Sequence, residues 1–248
     1  MKNISLLLSI FFIIQLVSCK EESKPRVKED RPAPKKVPSA KHEEVKMSSY
    51  VQVSTEFGDI EIGLYDNTPE HRDNFLKLAN EGFYNDLLFH RIIEGFMVQG
   101  GDPKSKDASS SDRLGSGGPG YTVPAEFGAS LIHKKGALAA ARTGGSGNPD
   151  RRSSGSQFYL VQGKVLTDVQ LDQFEKMASG KLTGFEYTDE QREIYKTIGG
   201  TPALDMDYTV YGEVTKGLDV IDKIAAVKTA PGDRPINDVK MQISVITK

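Results

Sequence analysis

The chain has 248 residues, of which 38% are hydrophobic and 27% charged, and its formal net charge is -2. That length allows one domain with an extension or two small ones, and the composition excludes a disordered or multi-spanning chain. The charge gives no electrostatic case for nucleic acid, and the single cysteine excludes an intramolecular disulfide.

The N-terminus carries Lys2 and then an apolar run from Ile4 to Val17. A positive start, a short apolar stretch and a small-residue exit predict a secretory signal over residues 1–18. The run is short for a bilayer-spanning helix, which needs about 20 residues. Its exit, Leu16-Val17-Ser18-Cys19, resembles the lipobox of bacterial lipoproteins. That resemblance implies cleavage before Cys19 and lipidation of it, with buried methylenes anchoring the chain. An uncleaved anchor helix with an incidental cysteine is the alternative. Lys20-Glu21-Glu22 is similar to a surface-export tag of some Gram-negative lipoproteins, or is an ordinary charged tether. Residues 19–48 read as a flexible tether, with prolines among mixed charges and almost no apolar periodicity. The localisation expected is the cell envelope, lipid-anchored to a bacterial membrane on its periplasmic side or at the cell surface.

The folded domain is expected over residues 49–248. Val51 and Val53, then Ile60, Ile62 and Leu64, alternate with polar residues on either side of Phe57-Gly58, a β-hairpin pattern. Thr68-Pro69-Glu70 predicts a helix start with a hydroxyl N-cap, and Gly82 its end. Residues 102–121 and 143–155 are rich in Gly and Ser but lack a phosphate-binding fingerprint. Between them Gly136 to Ala141 is small and apolar, which suits close backbone approach. Phe158–Val161 reads as a buried strand. Residues 165–200 change character: Thr167 and Thr188 each open a capping-box pattern, predicting two short helices with Leu171, Phe174, Met177, Ile194 and Ile198 as their apolar positions. Strand signals return at Tyr208–Val214. A helix with Val220, Ile221, Ile224 and Ala225 follows, and then a closing alternation of Val239, Met241, Ile243 and Val245.

The block Phe89-His90-Arg91-Ile92-Ile93-Glu94-Gly95-Phe96-Met97-Val98-Gln99-Gly100-Gly101-Asp102 sets one Arg among apolar residues. Arg is rarely buried without a role or a partner, and Asp102 is a possible structural partner for Arg91. In a strand–turn–strand, Arg91, Ile93, Met97 and Gln99 share one face. No Ser or Cys shows a His and an acid placed as a nucleophile set. His90 and His133 are too isolated for a metal site, so none is expected.

This block resembles the signature of cyclophilins. Gly136-Ala137-Leu138 with Ala141 is similar to the family's next motif, and Ser154-Gly155-Ser156-Gln157-Phe158-Tyr159 to the one after it. Leu204-Asp205 and Tyr211-Gly212 follow in the same order, so the resemblance covers Tyr50 to the C-terminus apart from residues 165–200. It implies a mainly β fold, a closed eight-stranded antiparallel β-barrel capped by two helices, here with a helical insertion. It implies a peptidyl-prolyl cis-trans isomerase acting on proline-containing polypeptide clients during folding of envelope or secreted proteins, without cofactor or metal. Arg91 and Gln99 would then be catalytic. Phe96, Met97, Tyr159 and Leu204 would wall a proline slot with Tyr208 at its rim. Gln157 and the backbones of Ala141 and Arg142 would line the adjacent groove.

Departures from the family pattern are Tyr159 (often Phe), Tyr208 (often His), and Ala203, which stands where drug-sensitive eukaryotic members have Trp. Ala140 and Arg142 also depart on the groove strand. The added hydroxyl of Tyr159 is expected at a pocket edge. The insertion is expected beside the groove, either biasing client choice or as a passive elaboration. A monomer is expected. The competing readings are a proline-peptide binding or chaperone module and a surface-exposed interaction protein.

Overall fold

A computed structural model of the protein describes residues 45–248. The expected signal peptide, Cys19 and the tether up to residue 44 lie outside the described residues. No described helix is long and apolar enough to cross a membrane.

The chain opens as the predicted hairpin, β1 (Met47–Thr55) and β2 (Gly58–Tyr65). Val51 faces Ile62 and Val53 faces Ile60 across the ladder, and all four are fully buried. Helix α1 (Pro69–Asn80) follows, and Gly82 ends it with φ +66°, a conformation that glycine adopts without strain. Its N-terminus differs from the prediction. The Thr68 hydroxyl does not cap the helix. Glu126, far along the chain, accepts the amides of Glu70 (3.2 Å) and His71 (3.0 Å) instead.

Two short strands, β3 (Arg91–Ile93) and β4 (Met97–Gly100), flank a tight turn in which Gly95 takes φ +73° and the Phe96 amide donates to the Ile93 carbonyl. Then come β5 (Thr122–Val123), β6 (Ala137–Ala140), β7 (Ser153–Ser154) and β8 (Phe158–Val161). The inserted helices are α2 (Asp168–Ser179) and α3 (Asp189–Thr197), each opened by a complete capping box at Thr167 and Thr188. The chain ends with β9 (Val210–Lys216), α4 (Leu218–Ala225) and β10 (Gln242–Ile246).

Eight strands form one antiparallel sheet in the order β10-β1-β2-β9-β6-β8-β4-β3, while β5 and β7 make a separate ribbon. The sheet curls, but the expected closed barrel is not formed, because β3 and β10 are edges that share no ladder. The segments leading into them touch through Asp86 N to Met241 O, Met241 N to Leu87 O and Phe89 N to Val239 O. The reason lies at β3. It has only three residues, and its Ile92 amide donates to the Asp233 carbonyl, so beyond the single bridge of Leu88 with Lys240 a loop runs along its edge in place of a strand.

Strand alternation divides the sheet's side chains into two sets. Val98, Leu138, Phe158 and Leu160 join Phe75 of α1 and Ile221 of α4 in the main core. Met97, Ala139, Tyr159 and Val161 point the other way and form a second cluster with Val210 and Leu204. Leu171, Ala178, Phe185, Tyr187 and Tyr195 of the insertion form a third cluster together with Ile132 and Met206 from outside it. Met177 and Ile198, two of the apolar positions read from these helices, are about half exposed at 51% and 48%. The aromatic residues Phe185 and Tyr187, between the helices, take the buried positions.

Phe158 anchors the main core. Its ring meets Phe75 at 5.4 Å, Tyr84 at 5.7 Å and Phe89 at 6.2 Å between centroids, each edge-on. Phe158→Ala removes a fully buried ring and is expected to lower stability by about 3–5 kcal/mol, read as a shifted midpoint in urea denaturation at unchanged slope.

Candidate functional site

The second face of the sheet carries the site. Arg91 on β3 stands directly across from Gln99 on β4, and Gln99 stands across from Tyr159 on β8. The pleat thereby sets a guanidinium, an amide and an aromatic ring side by side. Arg91, Phe96, Met97, Gln99, Ala141, Arg142, Tyr159, Leu204 and Tyr208 line one cavity of about 1120 Å3. Gln157 lies in an adjoining cavity of about 880 Å3 that shares Gln99, Ala141 and Arg142. All ten pocket positions read from the sequence are thus brought together.

The polar groups form a directed chain. Arg91 Nη1 donates to Gln99 Oε1 (3.4 Å), Gln99 Nε2 donates to Gln157 Oε1 (3.1 Å), and Gln157 Nε2 donates to the Gly117 carbonyl (2.7 Å). Each amide accepts with its oxygen and donates with its nitrogen, so the chain fixes both orientations. Arg91 Nε lies 3.4 Å from Asp233 Oδ2, a long contact between side chains that are 41% and 44% exposed. Such a solvated pair orients the guanidinium only weakly.

Asp102, the carboxylate considered as a partner for Arg91, is engaged elsewhere. It is fully buried and accepts the amides of Lys104, Gly115 and Gly117, which organises the Gly-rich loop. No sequence signal pointed to Asp233, which lies 142 residues from Arg91.

The Arg142 guanidinium is tied to its neighbours at the cavity wall. Its Nη2 bonds Asp207 Oδ1 at 2.7 Å, its Nε donates to the Asp207 carbonyl at 3.0 Å, and its guanidinium lies 4.5 Å from the Tyr208 ring centre. The main chain of Ala141 is already in use, with its amide donating to the Gln157 carbonyl and its carbonyl accepting from Ser154. Any further contact there falls to the second lone pair of that carbonyl. The Tyr159 hydroxyl does not sit at a pocket edge as expected. It is buried against His133 Nε2 at 2.9 Å, leaving the ring as the pocket wall.

One Ser does have a His and an acid beside it, though not placed as a nucleophile set. His71 bonds Glu126 Oε2 through Nδ1 (2.7 Å) and Ser153 Oγ through Nε2 (2.9 Å). Ser153 is 1% exposed and lines neither cavity, so a substrate carbonyl has no access to it. Burial alone would raise the Glu126 carboxyl, but the hydrogen bonds from His71 and from two helix amides hold it below the ordinary range. The arrangement pins α1 to the β5–β7 ribbon.

His90, next to Arg91, lines the larger cavity and is buried. Burial lowers its pKa to about 4, against the opposing charge of Asp102. The imidazole is therefore neutral near pH 7.

Several comparisons bear on this arrangement. Residues 50–245 match the family model described as cyclophilin-type peptidyl-prolyl cis-trans isomerase/CLD. The chain is 32% identical over 210 residues to a candidate peptidyl-prolyl cis-trans isomerase of Staphylococcus saprophyticus, covering 78% of this chain and 95% of that protein. It is 33% identical over 193 residues to one of Staphylococcus aureus, covering 77% and 88%. Among solved structures, a cyclophilin-type isomerase of Cryptosporidium parvum superposes with a TM-score of 0.56 at 20% identity, covering 81% of this chain and 98% of that one. The same protein in the presence of the dipeptide Ala-Pro gives 0.56 at 21% identity, covering 80% and 99%. These two likenesses speak to the fold.

The folded-state pKa of His90 lies below its unfolded value of about 6.5. The unfolded chain therefore takes up the proton first. The contribution of His90 to stability is full above about pH 6.5 and is lost as pH falls toward about 4, by up to about 3 kcal/mol. His90→Gln is expected to flatten that loss, measured by urea midpoints across the same range.

Proposed function

The chain belongs to the cyclophilin-type peptidyl-prolyl cis-trans isomerase family, and from that premise we propose how its own residues accelerate rotation about X–Pro bonds. The reaction is slow because amide resonance imposes a barrier of about 18–20 kcal/mol. At the twisted geometry the conjugation is broken and the prolyl nitrogen carries a localised lone pair. A guanidinium aimed at that nitrogen stabilises the twisted state more than either planar isomer. The observation that carries this reading is Arg91, part-exposed to the cavity on the same sheet face as Met97, Gln99 and Tyr159.

Arg suits the role because it stays charged and its fork is planar and rigid. Gln99 accepts one of its N–H groups and keeps a second amide hydrogen for a substrate carbonyl. Phe96, Met97, Tyr159 and Leu204 offer the proline ring an apolar slot, with Tyr208 at the rim. Gln157 and the main chain around Ala141 and Arg142 guide the residues that precede the proline along the adjoining groove. Rotation needs no bond to be made or broken, so these residues bind, orient and stabilise charge.

We further propose that the enzyme works as a monomer at the cell envelope, held by lipid on Cys19 after removal of residues 1–18, with the segment from Cys19 to the start of β1 as its tether, two residues shorter than expected because Met47 and Ser48 already belong to that strand. This placement is supported by the lipobox-like Leu16-Val17-Ser18-Cys19 and the Pro-rich segment that follows. The clients would be envelope or secreted proteins with X–Pro bonds.

A protease-coupled proline isomerisation assay tests the chemistry. Arg91→Ala is expected to lower kcat/KM about 100- to 1000-fold, the size seen on removing one transition-state donor, with peptide binding largely retained. A wild type without measurable rate would sink the enzymatic reading in favour of a binding module. For the anchor, Cys19→Ser is expected to abolish labelling by radioactive palmitate and release the protein from membranes. Membrane retention of that variant with its leader uncut would refute the lipoprotein form.

A further inference from the structure

The insertion, residues 165–200, forms no wall of the cavity, yet a buried carboxylate links it to the pocket. Asp205 is fully buried and directly follows Leu204 of the pocket. Its Oδ1 accepts the His133 amide (2.8 Å) and His133 Nδ1 (2.7 Å). Its Oδ2 accepts the hydroxyls of Tyr187 and Tyr195, both at 2.6 Å. An ionised carboxylate offers about four acceptor sites, so these donors saturate it. Tyr187 and Tyr195 both belong to the insertion.

The proton positions follow from the partners. His133 Nδ1 faces the carboxylate and carries hydrogen, which leaves Nε2 to accept from the Tyr159 hydroxyl at 2.9 Å. Burial pushes the hydroxyls of Tyr159, Tyr187 and Tyr195 well above the ordinary phenol range, so all three keep their protons to donate. The His133 and Tyr159 rings also lie nearly parallel, 14° apart with centroids at 6.0 Å. One buried chain therefore runs from the insertion through Asp205 and His133 to Tyr159. The backbone that bears Asp205 also carries Leu204, and both Tyr159 and Leu204 line the cavity.

We propose that the insertion is a positioning element of the proline pocket: Tyr187 and Tyr195, acting through Asp205 and His133, set the placement of Tyr159 relative to Leu204 and hence the affinity for the proline ring. The proposal rests on the isomerase reading for what the pocket holds. Removing one donor leaves a buried carboxylate underfilled, which is costly. The carboxylate then shifts to regain a partner, and His133 and Leu204 move with it. Because the proline ring is held alike in the planar and twisted states, the loss falls on binding and not on turnover.

The test is a mutant cycle in the full-length protein. Tyr187→Phe and Tyr195→Phe keep the ring and delete only the donated hydrogen bond, while Tyr159→Phe cuts the chain at the pocket end. Affinity for an Ala-Pro-containing tetrapeptide is measured by NMR titration, alongside kcat and KM. Tyr187→Phe is expected to weaken binding roughly threefold to tenfold and to raise KM by the same factor, with kcat within about twofold. In a Tyr159→Phe background the same substitution should have a clearly smaller effect, since the connection is already cut. Strictly additive effects, or an unchanged affinity in folded Tyr187→Phe and Tyr195→Phe, overturn the proposal. Should Tyr187→Phe fail to fold, Tyr195→Phe carries the same cycle, because it donates to the same oxygen. Should both fail, an unchanged affinity in Tyr159→Phe alone overturns it and a weakened one supports it. Absent wild-type turnover would count against the isomerase reading, whereas the peptide affinities decide the positioning proposal on their own.

Discussion

The two-residue period of β4 and β8 is the constraint on which the site depends. Val98 and Phe158 must face the main core, so Met97, Gln99 and Tyr159 must face outward. A slip of one residue would bury Gln99 and expose Phe158, at the cost of both core and pocket. The Arg91–Gln99 register then follows from the tight turn at Gly95, which pairs β3 with β4 without an extra residue. Packing of an aromatic core thus places a guanidinium outside that core. Its geometry is maintained by residues that never meet a substrate.

Polar connectivity divides into two systems of different character. The chain from Arg91 through Gln99 and Gln157 to Gly117 is partly solvated, and its first link is long at 3.4 Å. It leaves the guanidinium able to adjust, as its proposed role at a twisting peptide bond requires. The chain from Tyr187 and Tyr195 through Asp205 and His133 to Tyr159 is dry, with each link between side chains at 2.9 Å or shorter. A dry network rigidifies its members when every group is satisfied. The compliant system sits at the cation and the stiff one behind the proposed proline slot, a division that fits the proposed reaction, in which the nitrogen moves and the ring stays seated.

Local signals in the sequence were sufficient for much of this. The β1–β2 hairpin, the Gly95 turn and the helices of the insertion follow from short-range periodicity and capping. The caps also show where such reading stops. Thr167 and Thr188 each have Gln at the third helical position, Gln170 and Gln191, and both form reciprocal boxes. Thr68 has His71 there, and a glutamate from 55 residues away supplies the cap. The family motifs located the pocket walls because those residues lie in continuous runs. They gave no view of Asp233 beside Arg91, of the Asp205 clamp, or of the loop that occupies the β3 edge and leaves the sheet open. Those depend on contacts across 142 and 72 residues, for which one sequence without long-range pairing information carries no signal.

The buried Asp102 has a consequence for how the Gly-rich loop can vary. Its carboxylate gathers the Gly115 and Gly117 amides, and a β-carbon added at Gly117 would collide with that carboxylate. The Gly117 carbonyl in turn receives Gln157 from the polar chain that starts at Arg91. Loop grafts between relatives must therefore carry the acid and the bare glycine together. A transplant that splits the pair would leave the lining of the groove without its last foothold, even with every residue proposed to contact the peptide left in place.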